Sequence, residues 1–475
     1  MDELTKLSLV EARGKLNARE ISAVELAQAY LDEIARRDHE ICAYREVYDD
    51  VLQQARAADE RIASSDAGEL LGIPIALKDV IHCKGRRLTA GSKILEGYIA
   101  SYDASVVAAL CCAGAVFLGR TNQDEFAMGS SGEKSAYAVT KNPHDLTRVP
   151  GGSTSGSAAA VAGNMALAAL GSDTAGSVRQ PAGFCGVVGF KSTYGTTSRW
   201  GLLPMANSFD QIGPLTKTVA DAEIMHKVIS GYDPKDATNV PKEKRVHGPL
   251  PGKGKRLGVP RSFLSTGIDA AVTGNFEDTL TKLAEKNYEI VEIDLPNLHY
   301  SLPIYYVLQP AEVSTNLSRF DGMRFGLSRE GRSLLEVYEQ TRSVGFGAEP
   351  QRRILLGSYV LSAGYYDAYY NKATAVRELI RGDFVRAFRA VDAIVMPSTP
   401  SPAFKIGDKG EDALAMYLCD IFTVPGNAVG IPGISVPSGT ARVEGKDLPI
   451  GFQVLAPWFA EELLFAIGKD VTGEK

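Results

Sequence analysis

Two loops rich in glycine and hydroxyl side chains carry the residues of this chain that are best suited to nucleophilic chemistry. The first, GGSTSGS, occupies positions 151–157 and leads into an alanine-rich stretch. The second, GSDTAGSVRQPAG, occupies positions 171–183. Flexible linkers have a composition like that of the first loop, but a loop at the start of a helix also presents backbone N–H groups to an anion. Composition alone leaves both interpretations open.

A lysine at the end of an apolar run could supply a base for such serines. Lys78 ends the apolar part of LLGIPIALKDV, residues 70–80. Burial would lower the pKa of its amine and make the neutral form available as a base, and serine–lysine pairs are a known form of nucleophilic catalysis. A lysine that reaches solvent from the end of a strand fits the same pattern.

The sequence gives less evidence for other common catalytic, nucleotide-binding or metal-binding sites. It contains no G-x-x-x-x-G-K-[ST] phosphate loop and no G-x-S-x-G elbow. The six histidines form no H-x-x-x-H or H-E-x-x-H pair, so we expect no metal site. A serine–histidine–aspartate triad stays open, because its members can be distant in sequence.

The elements that must position these residues alternate between helix and strand. S-x-x-E capping boxes at Ser8 and Ser22 predict two helices near the start. Apolar runs predict strands in 70–80, 115–122 and 255–260, and helices in 103–114, from 158 onward and in 219–231. This alternation indicates an α/β fold with a mostly parallel or mixed sheet covered by helices.

We expect one domain over residues 1–475, with a helical segment over 1–65. The polar stretch 232–254, rich in proline, glycine and lysine, could separate two domains. It fits equally well as a surface connection within one domain, which is how we assign it.

Composition describes an ordinary globular protein of 475 residues with a net charge of −6. A basic face for nucleic acid is therefore not indicated. The six cysteines form no C-x-x-C pair, which favours buried free thiols in a reducing compartment. The start of the chain lacks the pattern of a signal peptide, and the apolar run 158–171 is too short to span a membrane. We expect a cytoplasmic protein with no membrane partner.

The two serine loops and the segment around Lys78 together resemble a known family. GGSTSGSAAAVAGN, followed by ALGSDTAGSVRQPAGFCGVVGFKST, is similar to the amidase signature, and GIPIALKD at 72–79 matches the lysine element of that family. The resemblance covers nearly the whole chain. Residues 119–137, 352–373 and 427–439 are most similar to the amidase subunits of tRNA-dependent amidotransferases. The resemblance implies a single α/β domain with a mixed central sheet between helical layers.

The family mechanism maps onto three side chains of this sequence. The resemblance implies Ser177 as nucleophile, Ser153 as the serine that passes a proton, and Lys78 as base. It also implies a cis peptide bond between Gly152 and Ser153. The oxyanion of the intermediate would be held by the backbone N–H groups of Thr174, Ala175, Gly176 and Ser177.

The resemblance also implies a pair of charges for free glutamine, which is a zwitterion. Arg353 would bind its carboxylate and Asp420 its ammonium group, although Arg352 is a neighbouring candidate for the first role. We expect Asp173 and Arg179, which flank the nucleophile, to brace the loop rather than react.

Two positions depart from the family pattern. Ala175 and Ser155 stand where the family usually has glycine. If position 175 needs a positive φ, alanine there costs about 1 kcal/mol. Neither change removes a catalytic group.

The implied function is hydrolysis of glutamine to ammonia, which a partner uses to convert Glu-tRNA(Gln) to Gln-tRNA(Gln). The expected partners are B- and C-type subunits, with the tRNA bound through them. We expect no cofactor in this chain and place ATP and magnesium on a partner, because this sequence has no nucleotide site. One alternative is a free-standing amidase that hydrolyses another carboxamide. Another is a non-catalytic scaffold protein, against which the presence of Lys78, Ser153 and Ser177 counts.

Overall fold

Eleven strands in the described part of the chain form one mixed sheet. The computed structural model describes residues 3–64, 68–249, 254–265, 267–410 and 412–474. Its strands are β1 Tyr44–Val47, β2 Pro74–Lys78, β3 Val116–Thr121, β4 Ala168–Asp173, β5 Val188–Lys191, β6 Gln211–Thr216, β7 Arg256–Val259, β8 Glu289–Glu292, β9 Ala393–Pro397, β10 Gly433–Val443 and β11 Lys446–Leu455. Their order across the sheet is β1-β3-β2-β4-β6-β5-β10-β11-β9-β7-β8.

Fifteen α-helices within the same ranges enclose the sheet. They are α1 Leu9–Asn17, α2 Ala23–Ile41, α3 Val51–Ala63, α4 Ser105–Cys112, α5 Ser155–Ala162, α6 Arg179–Cys185, α7 Val219–Ile229, α8 Ala270–Glu285, α9 Ser301–Asn316, α10 Leu334–Gly345, α11 Ala348–Val360, α12 Lys372–Ala387, α13 Ala413–Tyr417, α14 Val424–Val429 and α15 Glu461–Thr472. Among the described residues, no helix is both long enough and apolar enough to cross a membrane. The α/β class with a mixed sheet between helices is as predicted.

Local signals in the sequence identified many of these elements. Both capping boxes are formed: the Ser8 and Ser22 side chains accept from the backbone N–H three residues later, and the glutamate there accepts in return. Strands β2, β3 and β7 and helices α4 and α7 lie inside the predicted segments. Helix α5 begins at Ser155, three residues before the predicted start, so hydroxyl residues of the first loop form its first turn.

Strand pairing places the candidate residues at one edge of the sheet. Strand β2 lies between β3 and β4 and runs parallel to both. The carboxyl ends of all three strands therefore meet at the same edge, where open α/β sheets commonly bind ligands. Lys78 is the last residue of β2 and Asp173 the last of β4. The second glycine-rich loop continues directly from β4.

The sheet includes strands from both sides of the polar stretch 232–254. Strands β1–β6 precede this stretch, β7–β11 follow it, and β9 pairs with both β11 and β7. Strand β10 joins the two groups through its pairing with β5. Residues 250–253 of the stretch lie outside the described residues. The segment 1–65, predicted to be helical, contains strand β1 as well as three helices.

The cysteines agree only in part with the prediction of buried thiols. All six are free, and Cys83, Cys185 and Cys419 are buried. Cys42 is half-buried. Cys111 and Cys112 are exposed, which corrects the prediction for this pair. They end α4, whose Val106, Val107 and Leu110 fill the core, so an apolar sequence context did not mean burial for the last turn.

Candidate active site

The Lys78 amine lies at the centre of a buried cluster of hydroxyl groups. Its side chain has no exposed surface. Nζ lies 2.8 Å from Ser153 Oγ, 2.9 Å from Thr154 Oγ1 and 2.9 Å from Ser172 Oγ. The lysine at the end of an apolar run is thus fully buried against the first loop.

These contacts suit a neutral amine. Burial lowers the pKa of Lys78 to about 7, against the opposing pull of three buried aspartates. The Thr154 hydroxyl donates to the Ser172 carbonyl at 3.1 Å, so its oxygen is left to accept from Lys78. A neutral amine has two N–H donors and one lone pair. It can donate to Thr154 and Ser172 and accept the proton of Ser153.

The structure brings the two serine loops together. The Thr154 N–H donates to the Ser177 carbonyl at 3.3 Å, and the peptide bond between Gly152 and Ser153 is cis. Ser153 is fully buried and Ser177 is 6% exposed. Among the described residues, none makes a hydrogen bond to the Ser177 hydroxyl, so the two loops are in contact without a direct bond between the hydroxyls of Ser153 and Ser177.

A buried ion pair holds the second glycine-rich loop in place. Arg179 donates to both carboxylate oxygens of Asp173, with Nε and Nη2 each at 3.0 Å, and neither side chain is exposed. Burial raises the pKa of Asp173, but Arg179 outweighs it and the pKa falls to about 2. Asp173 also accepts from the Gly176 N–H at 2.9 Å and the Val178 N–H at 3.2 Å. The pair braces the loop, as expected.

This brace reduces the predicted set of oxyanion donors. The Gly176 N–H, one of the predicted donors, is already bonded to Asp173. Within the described residues, the backbone N–H groups of Thr174, Ala175 and Ser177 have no acceptor, whereas the Thr174 hydroxyl donates to Asp210 at 2.7 Å. The structure therefore leaves Thr174, Ala175 and Ser177 as the backbone donors free to face an oxyanion.

The two departures from glycine are accommodated without strain. The φ of Ala175 is not positive, so the cost considered for alanine does not arise. Gly176 has a φ of +131°, and a Cβ there would clash with the Thr423 side chain, so glycine is required one position later. Ser155 is buried in the first turn of α5 and donates to Thr140 Oγ1 at 3.4 Å.

A small cavity of about 50 Å³ lies beside the predicted substrate-binding arginine. Ser130, Arg352, Arg353 and Tyr417 are among the residues that line it. Arg353 is buried, with Nε 2.8 Å from Glu349 Oε1 and Nη1 3.0 Å from Gln309 Oε1. Arg352 is half exposed and also pairs with Glu349. Arg353, rather than Arg352, is held in a fixed orientation.

Asp420, which binds the cavity-lining residue Ser130, carries an unpaired oxygen. Its Oδ2 accepts from the Ser130 hydroxyl, whereas its buried Oδ1 has no partner among the described residues. Burial raises the pKa of Asp420 to about 7, although Ser130 and Arg353 oppose the shift. Ser130 thus connects Asp420 to the cavity that Arg353 lines. Ser153, Ser177 and Lys78 are not among the lining residues of this cavity.

Sequence reasoning missed several partners of the predicted residues. Thr154 and Ser172 bind the Lys78 amine, and Ser130 binds Asp420. All three are hydroxyl residues inside stretches that carry the family resemblance. That context could have marked them as candidates, but neither spacing nor residue type predicted which distant side chain each one contacts.

Comparison with known proteins places the chain in a family. Residues 25–465 match the family model for Amidase. The A-type subunit of glutamyl-tRNA(Gln) amidotransferase from Koribacter versatilis (strain Ellin345) is 50% identical over 479 residues, covering 99% of this chain and 98% of the relative. The corresponding protein from Carboxydothermus hydrogenoformans is 50% identical over 471 residues, covering 98% and 96%. The crystal structure of the corresponding protein from Thermotoga maritima has a TM-score of 0.78 at 40% identity, covering 98% and 94%. The chain belongs to the amidase family of enzymes.

Proposed function

We propose that this chain hydrolyses the side-chain amide of free glutamine and supplies the ammonia to a partner that amidates Glu-tRNA(Gln). The observation that carries the proposal is the buried Lys78 amine, 2.8 Å from Ser153 Oγ in a cluster of hydroxyl groups. The similarity over nearly the full chain to proteins named as the A-type subunit of that amidotransferase supports the choice of substrate.

In the proposed first step, neutral Lys78 takes a proton from Ser153 while Ser153 takes one from Ser177. Ser177 Oγ then attacks the amide carbon, and the negative charge on the carbonyl oxygen is stabilised by the backbone N–H groups of Thr174, Ala175 and Ser177. Return of the proton from Lys78 through Ser153 to the nitrogen breaks the C–N bond and releases ammonia. Water, activated by the same pair, then cleaves the ester on Ser177 and releases glutamate.

Two charged groups are proposed to recognise the amino-acid part of glutamine. The carboxylate of glutamine would bind Arg353, whose guanidinium is held in place through Nε by Glu349 and through Nη1 by Gln309. The ammonium group would bind Asp420, whose unpaired Oδ1 lacks a donor in the described part of the chain. A neutral amide has no use for this pair of charges, which favours glutamine over another carboxamide.

The amidation itself is assigned to other subunits. Activation of a glutamyl carboxylate needs ATP, and this sequence has no phosphate loop for a nucleotide. We therefore place ATP, magnesium and the tRNA contacts on B- and C-type partners, with ammonia passed to them from this chain.

Replacement of Ser177 tests the proposal. Ser177→Ala should abolish both glutamine turnover and covalent labelling by a glutamine-like electrophile, measured by mass spectrometry of the labelled chain. Ser301→Ala is a matched control, because the Ser301 hydroxyl is buried and has no partner among the described residues. Full labelling of Ser177→Ala would overturn the assignment of the nucleophile.

Addition of the partners tests the wider assignment. Glutamine hydrolysis by the wild-type chain should increase when B- and C-type subunits, Glu-tRNA(Gln) and ATP are added. A purified chain that already hydrolyses glutamine at full rate, with no response to these components, would point to a free-standing amidase. The same conclusion would follow if a neutral carboxamide were the better substrate.

A further inference from the structure

The loop over residues 124–131 touches three separate parts of the candidate site. The Asp124 N–H donates to the Ser153 carbonyl at 3.3 Å, and the Ser130 hydroxyl donates to Asp420. Between these two contacts, Glu125 reaches the start of α11, the helix that carries Arg353. One loop thus joins the proton-transfer serine to both groups proposed to bind the substrate.

Glu125 binds the N-cap residue of that helix. Gly347, the residue before the first turn of α11, has no side chain to accept from the helix N-terminus. Its own N–H donates to Glu125, 3.1 Å from Oε1 and 3.0 Å from Oε2. The Ser92 hydroxyl also binds Glu125 Oε1, at 2.5 Å, and reaches the Gly345 carbonyl at 3.1 Å. A carboxylate at a helix N-terminus stabilises it by charge as well as by hydrogen bonds.

Close packing restricts the position of Glu125 relative to Gly347. Glu125 is 2% exposed, and a Cβ on Gly347 would clash with Glu125 Oε2. The next residue, Phe126, packs against Phe346 with ring centres 5.7 Å apart. Phe126 has a φ of +48°, a conformation that a bulky residue adopts only where its neighbours enforce it. Residues 125–126 therefore hold residues 346–347 by a polar and an apolar contact side by side.

The helix transmits this contact from Gly347 to Arg353 over less than two turns. Glu349 lies two residues after Gly347 and accepts from Arg353 Nε at 2.8 Å. Arg353 and Glu349 line the same cavity as Ser130, which donates to Asp420. A shift at the start of α11 would move Arg353 relative to Asp420, which the same loop holds from the other side.

We propose that Glu125 is a positioning residue that sets the distance between Arg353 and Asp420 and thereby the binding of the amino-acid part of the substrate. It acts through the N-terminus of α11 and does not touch the substrate. The inference rests on the proposed function, in which these two groups bind glutamine.

The test compares glutamine with a small neutral carboxamide in three variants. Glu125→Gln keeps the size of the side chain but replaces one acceptor by a donor, and Gly347→Ala disturbs the same contact from the helix side. Ser92→Ala is a milder variant for use if either of these fails to fold. Glu461→Gln is the matched control, because Glu461 is also buried and accepts the Thr193 N–H at 2.9 Å on a different helix.

We expect Glu125→Gln and Gly347→Ala to raise the KM for glutamine about tenfold while kcat stays within about twofold. Turnover of the neutral carboxamide should change little, and Glu461→Gln should resemble wild type with both substrates. Arg353→Ala should also raise the KM for glutamine, and adding Glu125→Gln to it should cause no further rise, because both changes act on one contact.

The outcomes separate this inference from the proposed function. A wild-type chain that does not hydrolyse glutamine, or whose KM does not depend on Arg353, contradicts the proposed function. If the KM depends on Arg353 but not on Glu125, Gly347 or Ser92, the positioning role is wrong and the function stands. Equal loss with both substrates would show that Glu125 serves only the stability of the fold.

Discussion

Two buried lysines at equivalent ends of strands differ in the chemistry of their partners. Lys78 ends β2 and Lys191 ends β5, and neither side chain is exposed. Burial lowers the pKa of each amine to about 7. Lys78 is surrounded by the hydroxyls of Ser153, Thr154 and Ser172. The Lys191 amine instead donates to main-chain carbonyls, those of Ser192 at 3.1 Å and Ile431 at 2.5 Å.

The comparison shows that a lowered pKa does not make a lysine a base. A carbonyl oxygen can only accept a hydrogen bond, so Lys191 has no proton to receive from these partners. A hydroxyl both donates and accepts, so Lys78 can take the proton of Ser153. We infer that Lys191 holds the end of β5 against the segment around Ile431, whereas Lys78 serves the reaction.

Replacing Lys78 and replacing Lys191 should differ most in their effects on glutamine turnover. Lys78→Met removes the proposed base at nearly constant volume and should lower glutamine turnover by about 10²–10⁴-fold. The fold should be retained, because methionine avoids the desolvation of a buried amine. Turnover per folded molecule is the measurement, with Lys191→Met as the control that stays within about threefold of wild type. Near wild-type turnover in Lys78→Met would show that another group is the base.

Replacement of Lys191, in contrast, should lower the stability of the fold. Lys191→Met leaves the carbonyls of Ser192 and Ile431 without their donor, and an unsatisfied buried group costs about 1–3 kcal/mol. We expect a lower free energy of unfolding in Lys191→Met, measured by denaturant titration. A variant as stable as wild type would mean that these hydrogen bonds contribute little.

The pH dependence of unfolding sharpens this second test. The pKa of Lys191 is about 7 in the folded protein and 10.5 for an ordinary lysine, so between these values the unfolded chain binds more protons. Lys191 therefore makes the free energy of unfolding rise with pH across that window, and Lys191→Met should flatten the rise. An unchanged slope would contradict the lowered pKa.

The sequence predicted the scaffold of the site better than its contacts. The apolar run before Lys78 indicated a buried strand end, and the glycine-rich loops indicated where serines would converge. The run GVVGFK, residues 186–191, ends at Lys191 and has a similar pattern, yet the two lysines have different partners. The partners lie on other elements, so strand pairing and loop packing decide which groups each amine meets, and a local pattern does not contain that information.

The finer details of the site depended on backbone geometry. The Gly176 N–H was a plausible oxyanion donor by position, but Asp173 bonds to it. The choice between Arg352 and Arg353 depended on which side of α11 faces the interior, and the structure buries Arg353. The link from Glu125 to Gly347 joins residues 222 positions apart, and no spacing in the sequence indicated it.

The pH dependence of Ser177 acylation tests most directly whether Lys78 acts as a neutral base. Burial raises the pKa of both Asp420 and Glu125 to about 7, so both groups titrate in the range of interest. The electrophile should therefore be uncharged and lack the amino-acid part, so that their titration does not affect its binding. Because the base is neutral only above its pKa, the labelling rate should rise about tenfold per pH unit below 7 and level off above it. The midpoint should be the same in Lys191→Met. A rate that does not change across this range, or a midpoint that is lost when Lys191 is replaced, would contradict the assignment of Lys78 as the base.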